Sequence, residues 1–398
     1  MNHIFNSLGS NYSFSRALRA LFFCASTAQK QKNRELLLST LEQRFHATPF
    51  LAINGRSALA QYLTNTHFKK GSKVLVQAFT CYALEQAIVE VGFIPVYLDI
   101  DEKTRNPSPS DIQRHLSSDE EIAFVLLQHT GGHPAHIRQI HEICQKHHVI
   151  LIEDLAQAFG ALDEEIVPVG TYADVILLSF GRDKIIDAVT GGAILVKHTS
   201  YQVAPNHNTN PLFARWYPII TWCIRMCYPI GVGKILHKIF QKTGALHSPI
   251  DEPVDRVHQL SDLNVSLVLD ALEEHAPLSA HRKQMYLEYQ KSLEKYSAFS
   301  KNKGVPSHLR YSILVEDPTQ IISYLEKKGI HISDRWYRKP VDGGSIFSSQ
   351  WYQTGTCKTA EHLAQHVLNL PTHRYISIDD VRYISKEILQ WMHSHAKK

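Results

Sequence analysis

The chain has no uninterrupted apolar run of about eighteen residues, the length that a membrane-spanning helix needs. Cysteine is scarce, with six thiols (Cys24, Cys81, Cys144, Cys223, Cys227 and Cys357) scattered over 398 residues. That scatter excludes a disulfide scaffold and fits a reducing cytoplasm. Fixed-period repeats and low-complexity tracts are missing, which excludes a solenoid or a biased linker. A large excess of one charge is missing too. The net charge of +4 is too mild to argue for nucleic acid.

Acidic residues are absent from two segments. Met1 to Arg34 has no Asp or Glu, yet it carries Arg16, Arg19, Lys30, Lys32 and Arg34. Arg19 lies within the apolar run Ala17 to Ala28, whereas a secretory signal keeps its charges in front of that run. Residues 1–33 are therefore expected to form a short basic, amphipathic arm. The second acid-free segment is Ala188 to Ile250. It holds Arg215, Arg225, Lys234, Lys238 and Lys242 among Trp216, Tyr217, Trp222, Tyr228 and Phe240. Basic residues interleaved with Trp suit a helix lying on a membrane surface, here through 211–246. The same pattern suits a subunit interface or a lid over an active site, and both readings stay open for 199–250.

From about residue 33 strands alternate with helices. Short apolar runs at Phe50–Ile53, Lys73–Val76, Pro95–Leu98, Ala123–Leu127, Val149–Ile152, Val175–Leu178 and Gly192–Val196 read as buried strands. Helical patterns lie between most of them, at 58–63, 81–91 and 134–147. This alternation predicts an α/β domain with a mostly parallel sheet. The tail reads as a smaller α/β lobe: helical from Ser261 to Lys295 with a break near Pro277, then strand, helix and strand to Ile332. A terminal helix follows, with Ser377 as its N-cap. The expected division is an arm at 1–33, a large domain at 34–250 and a small domain at 251–398.

Ligands of open α/β sheets sit beyond the carboxyl ends of the strands. Three such ends carry reactive groups. Asn54-Gly55-Arg56-Ser57 opens a helix, where free N–H groups and a hydroxyl suit phosphate; the bland reading is an Asn-Gly turn. Glu153 and Asp154 end a buried strand, where charge is costly without a partner, so one of them should face a cation; the bland reading is an N-cap at Asp154. Ser179-Phe180-Gly181-Arg182-Asp183-Lys184 follows another strand. There the hydroxyl can take a phosphate oxygen and the amine can form a Schiff base, although a lone lysine is usually a surface residue. His141, Cys144 and His148 share a helix face at metal-like spacing, but no second cluster supports a metal, and none is expected. Cys223 and Cys227, one helical turn apart, read as packing residues.

Together these segments resemble the DegT/DnrJ/StrS family of sugar aminotransferases, which have the type I pyridoxal-phosphate (PLP) fold. The resemblance runs through Asn54 to Leu59, Phe79-Thr80-Cys81, Phe93 to Asp101, His129 to Ala135, Ile152 to Ala161 and Ser179 to Lys184 with Gly191-Gly192. Leu260 to Leu263 and Leu370 to His373 extend it to the tail. It implies pyridoxal 5′-phosphate as cofactor, held on Lys184, which also shuttles the proton. Asp154 would pair with the pyridine nitrogen and Gln157 would lie beside the ring. Ser179, with Arg56 and Ser57, would hold the phosphate, and Gly55, Cys81, Tyr82 and His129 complete the expected cofactor set.

The resemblance further implies a homodimer, an amino donor such as glutamate, and a keto-sugar acceptor on a nucleotide. Two departures stand out. Cys81 occupies the place of an aromatic that stacks on the ring, and Val257 to Asp262 lacks the family's Asn and Arg. These keep open a non-transaminating PLP enzyme, such as a sugar dehydratase, and a non-catalytic regulatory protein. Lys184 counts against the dehydratase, because related dehydratases carry His there.

Overall fold

The computed structural model describes residues 3–197, 207–208, 212–243, 246, 249–299, 303–333 and 335–395. A two-residue strand, β1 (Ile4–Phe5), stands apart from the central sheet. That sheet has seven strands: β2 (Thr48–Ala52), β3 (Lys73–Gln77), β4 (Ile94–Leu98), β5 (Ile122–Gln128), β6 (Ile150–Asp154), β7 (Val175–Ser179) and β8 (Gly192–Val196), in the order β2-β8-β7-β6-β5-β3-β4. Neighbours run parallel except β8, which is antiparallel to both β2 and β7. The mostly parallel sheet expected from the sequence is the sheet observed.

The described helices as far as residue 293 are α1 (Phe14–Leu21), α2 (Thr27–Phe45), α3 (Gly55–Thr64), α4 (Tyr82–Glu90), α5 (Pro109–Ser118), α6 (Ile137–Lys146), α7 (Leu212–Cys227), α8 (Val232–Lys242), α9 (Asp262–Glu273) and α10 (His275–Leu293). Side chains alternate across the sheet with period two, so a strand covered on both faces reads as a continuous apolar run. All seven residues of β5 are buried. Phe124, Leu126, Ile152 and Val76 pack towards α3 and α4, whereas Leu75, Val125, Leu127 and Leu151 pack towards α5 and α6. Ile176, Leu178, Ala193 and Leu195 face a third layer built on α2 and α9.

The tail follows its expected elements. Arg310–Leu314 pairs antiparallel with Val367–Pro371, and helices Pro318–Lys327 and Ile378–His395 pack on them. Ser377 caps the last helix by accepting from Asp380 N at 3.1 Å, while its own N–H donates to Asp380 Oδ2. The helical break falls at Glu274, and Pro277 sits in the first turn of α10, where no helical N–H is needed. Leu260, Leu263, Val265, Leu267, Val268 and Ala271 belong to the core of the large lobe, while Met285, Tyr289 and Leu293 belong to that of the small lobe. We therefore propose the α9–α10 junction as the lobe boundary, rather than residue 250.

Residues 3–33 of the expected basic, amphipathic arm pack against both lobes. β1 pairs in parallel with Ile330–His331 of the small lobe. Arg16 is only 1% exposed, because its guanidinium donates to the carbonyls of Asp187 at 2.5 Å and Leu267 at 2.6 Å. The acid-free segment also turns part of its charge inwards. Arg215 donates to the carbonyls of Leu21 and Phe23, and Arg225 lies 3.8 Å from the centre of the Tyr375 ring. Among the described residues no helix is long and apolar enough to cross a membrane.

Candidate active site

A cavity of about 410 Å³ opens at the carboxyl ends of β2, β6 and β7. That volume is in the range of small-molecule sites. Asn54, Gly55, Arg56, Cys81, Asp154, Gln157, Ser179 and Lys184 line it. The loops after β2 and β7 meet because both need glycine. A Cβ on Gly192 would lie 2.5 Å from Gly55 N, and one on Gly55 would already sit 3.3 Å from Ser179 Cβ. Close backbone approach thus brings the α3 N-terminus to the Ser179 hydroxyl. Asn54 Oδ1 caps α3 by accepting from Ser57 N at 2.9 Å.

Asp154 is 3% exposed, and its Oδ1 accepts from Ala156 N at 2.9 Å. Its Oδ2 has no hydrogen-bond partner among the described residues. Burial pushes the Asp154 carboxyl up, against the pull of the Ala156 amide and Lys184. The other carboxylate at this strand end, Glu153, does not line the cavity and is bonded through one oxygen only, its Oε1 being buried without a partner among the described residues. Its Oε2 meets His129 Nε2 at 2.9 Å and Gly170 N at 2.8 Å. Since Ala135 N donates to His129 Nδ1, the ring proton lies on Nε2 and is donated to Glu153.

Burial lowers the Lys184 ammonium, opposed by Asp154 and Cys81. Its Nζ lies 4.7 Å from the centre of the Trp336 ring. Gln157 is fixed at both ends: Oε1 accepts from Gly131 N at 2.8 Å and Nε2 donates to Tyr337 OH at 2.7 Å. The Arg56 guanidinium donates to Gln86 Oε1 at 2.6 Å and to the carbonyls of Ile250 and Glu252. Glu252 also meets Arg182 at 3.7 Å and accepts from Asn54 at 3.2 Å, closing this side of the cavity.

Asp187 holds the lysine loop in place. Its carboxylate accepts from Tyr12 OH, from Asn11 Nδ2 at 3.0 Å, and from the amides of Asp183 and Val189, each at 2.9 Å. Asp183 and Val189 have φ of 62° and 69°, a conformation that non-glycine residues disfavour. The two amide bonds hold them there. Asn11 Nδ2 also donates to the Lys184 carbonyl at 3.1 Å, and Arg282 donates to Asn11 Oδ1 at 2.7 Å.

Three expected cofactor residues lie off the cavity wall. Ser57 is fully buried, and its hydroxyl accepts from Asp255 N at 2.9 Å. The Tyr82 ring stacks on Phe347, with centres 5.3 Å apart. His129 stands behind Asp154, committed to Glu153 and Ala135 as described. The cavity also has walls outside the expected residue set: Ser7 and Leu8 of the arm, Arg335 to Arg338 of the small lobe, and Tyr217 and His237 of α7 and α8, within the segment whose pattern suits an interface, a membrane helix or a lid. Trp336 is the aromatic beside Lys184 in the cavity wall, and no local signal tied the two together.

The cavity fits pyridoxal phosphate. It presents a carboxylate oxygen and a lysine amine, neither with a hydrogen-bond partner among the described residues, and a helix N-terminus beside a hydroxyl, where an anion is stabilised. Comparison with known proteins gives the same direction. The model of the DegT/DnrJ/EryC1/StrS aminotransferase family matches residues 39–203 and 241–389. GDP-perosamine synthase of Escherichia coli O157:H7 is 23% identical over 347 residues, covering 84% of this chain and 83% of that protein. A pleiotropic regulatory protein of Geobacillus stearothermophilus is 24% identical over 341 residues, covering 85% and 83%. Among solved structures, a DegT DnrJ EryC1 StrS aminotransferase from Brucella abortus superposes with a TM-score of 0.69 at 18% identity, covering 95% of this chain and 96% of that one.

Proposed function

We propose, from the premise that this chain belongs to the DegT/DnrJ/EryC1/StrS aminotransferase family, that it transfers an amino group from glutamate to a keto sugar carried on a nucleotide. Membership makes it a pyridoxal-phosphate-dependent sugar aminotransferase. The donor, the nucleotide carrier, the site roles and a homodimeric assembly are our reading. What supports it is the meeting of Lys184, Asp154 and the α3 N-terminus at one cavity.

When bound, the cofactor carries the amino group between half-reactions and accepts electron density from the substrate carbon. Lys184 is the residue we assign to hold it. Burial favours the uncharged amine, which is the form that attacks a carbonyl and that takes up a proton. Asp154 Oδ2 would face the pyridine nitrogen and keep it protonated. Gln157, pinned by Gly131 and Tyr337, would fix the side of the ring. Ser179 and the Gly55 and Arg56 amides would take the phosphate.

Borohydride reduction of the PLP-loaded protein followed by peptide mapping tests this. The label should fall on Lys184, and glutamate added before reduction should remove it. A label on another lysine, or persistence of the Lys184 label with glutamate, would overturn the assignment or the donor respectively.

A further inference from the structure

We infer that the outer face of α8, with the end of α7, docks on an anionic lipid bilayer. Five of the fifteen exposed large hydrophobic residues among the described residues fall between 226 and 239: Met226 at 60%, Ile230 at 76%, Val232 at 45%, Ile235 at 61% and Ile239 at 48%. α8 has three faces. Gly233 is buried, and Leu236 and Phe240 pack on Tyr228 and Ile224, facing the protein. Val232, Ile235 and Ile239, three and four residues apart, form an exposed apolar stripe. Lys234, Lys238 and Lys242, four apart, form an exposed cationic stripe beside it. An apolar stripe flanked by lysines is the arrangement of a helix that lies in the headgroup region, its side chains sunk and its ammonium groups reaching the phosphates.

Charge decides between occupants. No acid lies between Ala188 and Ile250. A two-fold contact with a second copy through this face would set Lys234, Lys238 and Lys242 against their own counterparts in a desolvated interface. An anionic bilayer supplies the missing negative charge and the apolar phase together. The family model leaves 204–240 unmatched, so this face is not part of the shared enzyme framework. His237, on the inner side of α8, lines the cavity. Docking would therefore place the cavity about one helix diameter, roughly 10 Å, from the headgroups.

Vesicle sedimentation of the full chain tests the inference without reference to the reaction. The wild type should pellet with mixed phosphatidylglycerol–phosphatidylcholine vesicles and stay in solution with phosphatidylcholine alone. Salt should weaken the binding, by screening the surface potential. Lys234→Glu with Lys238→Glu should reduce binding by about tenfold or more, since each basic residue near the surface adds to it. Lys69→Glu with Lys70→Glu makes the same change in charge at another exposed site and should bind as the wild type does. A wild type that stays in the supernatant with anionic vesicles would overturn the inference, as would equal losses in the two double variants. So would a dimer in free solution that Ile235→Ser with Ile239→Ser converts to monomer, because a second copy would then cover the face.

Discussion

One cavity has two kinds of wall. Asn54, Gly55, Cys81, Asp154, Gln157, Ser179 and Lys184 come from the part of the chain that the family model matches. Ser7, Leu8, Tyr217 and His237 come from segments it leaves out, before residue 39 and between 204 and 240. The first wall stands on strand ends, whose positions follow from backbone ladders. The second stands on side-chain networks around Asp187 and Arg225, which can change while the sheet stays the same. The contrast suggests that the matched wall serves the cofactor, needed for every turnover, and that the unmatched wall selects the substrate and seals the site.

Replacing Lys184 should break the matched wall most severely. Lys184→Ala should lower turnover by about 10⁴-fold, since it removes both the anchor and the proton carrier. Single-turnover kinetics with saturating PLP will check this, and a loss smaller than tenfold would take the lysine out of the chemistry.

Asp154→Asn should lower turnover by about 10²–10³-fold. The same change should stabilise the cofactor-free protein. Burial raises the Asp154 carboxyl above its unfolded value, so the folded state holds the proton more tightly. Stability of the cofactor-free wild type should therefore rise as pH falls through that raised value towards the ordinary carboxylate range. Asn carries no charge and should remove this dependence, leaving the variant the more stable of the two at neutral pH. Thermal melts of both proteins from neutral to acid pH will read it, and parallel curves would contradict it.

Asn11→Ala probes whether the arm serves the matched wall from outside it. The change removes the bonds to Asp187 and the Lys184 carbonyl and strands Arg282 Nη2. It should cost about 2–3 kcal/mol in denaturant unfolding. If the arm also positions the lysine loop, the visible band of the bound cofactor should shift its pH midpoint. An unshifted midpoint would leave the arm a purely structural part.

The smallest effect belongs to His237→Ala. It should raise KM for the sugar by about three- to tenfold and leave kcat and cofactor affinity near wild type. An equal fall in kcat would erase the distinction between the walls.

The sheet was legible because parallel strands covered on both faces leave continuous apolar runs, as in Ile122–Gln128. The cavity's inner residues were legible because reactive side chains follow those runs directly. Ser57, Tyr82 and His129 share those loops but point elsewhere, and neighbouring positions do not encode direction. The burial of Arg16 was not legible, because the carbonyls that accept from it belong to residues 187 and 267. Trp336 reaches Lys184 only through docking of the two lobes. Such contacts carry no local pattern to detect.

The β1 pairing with Ile330–His331 joins the start of the chain to a strand made more than three hundred residues later. During synthesis Ile4 and Phe5 therefore wait until residues 330–331 have emerged before they can pair. Until then Ile4, which packs among Tyr311, Ile330 and Trp391, has no core to enter, whereas Tyr12 can dock on Asp187 as soon as that loop is made. Emergence of residues 330–331, rather than closure of the central sheet, becomes the event that seats β1.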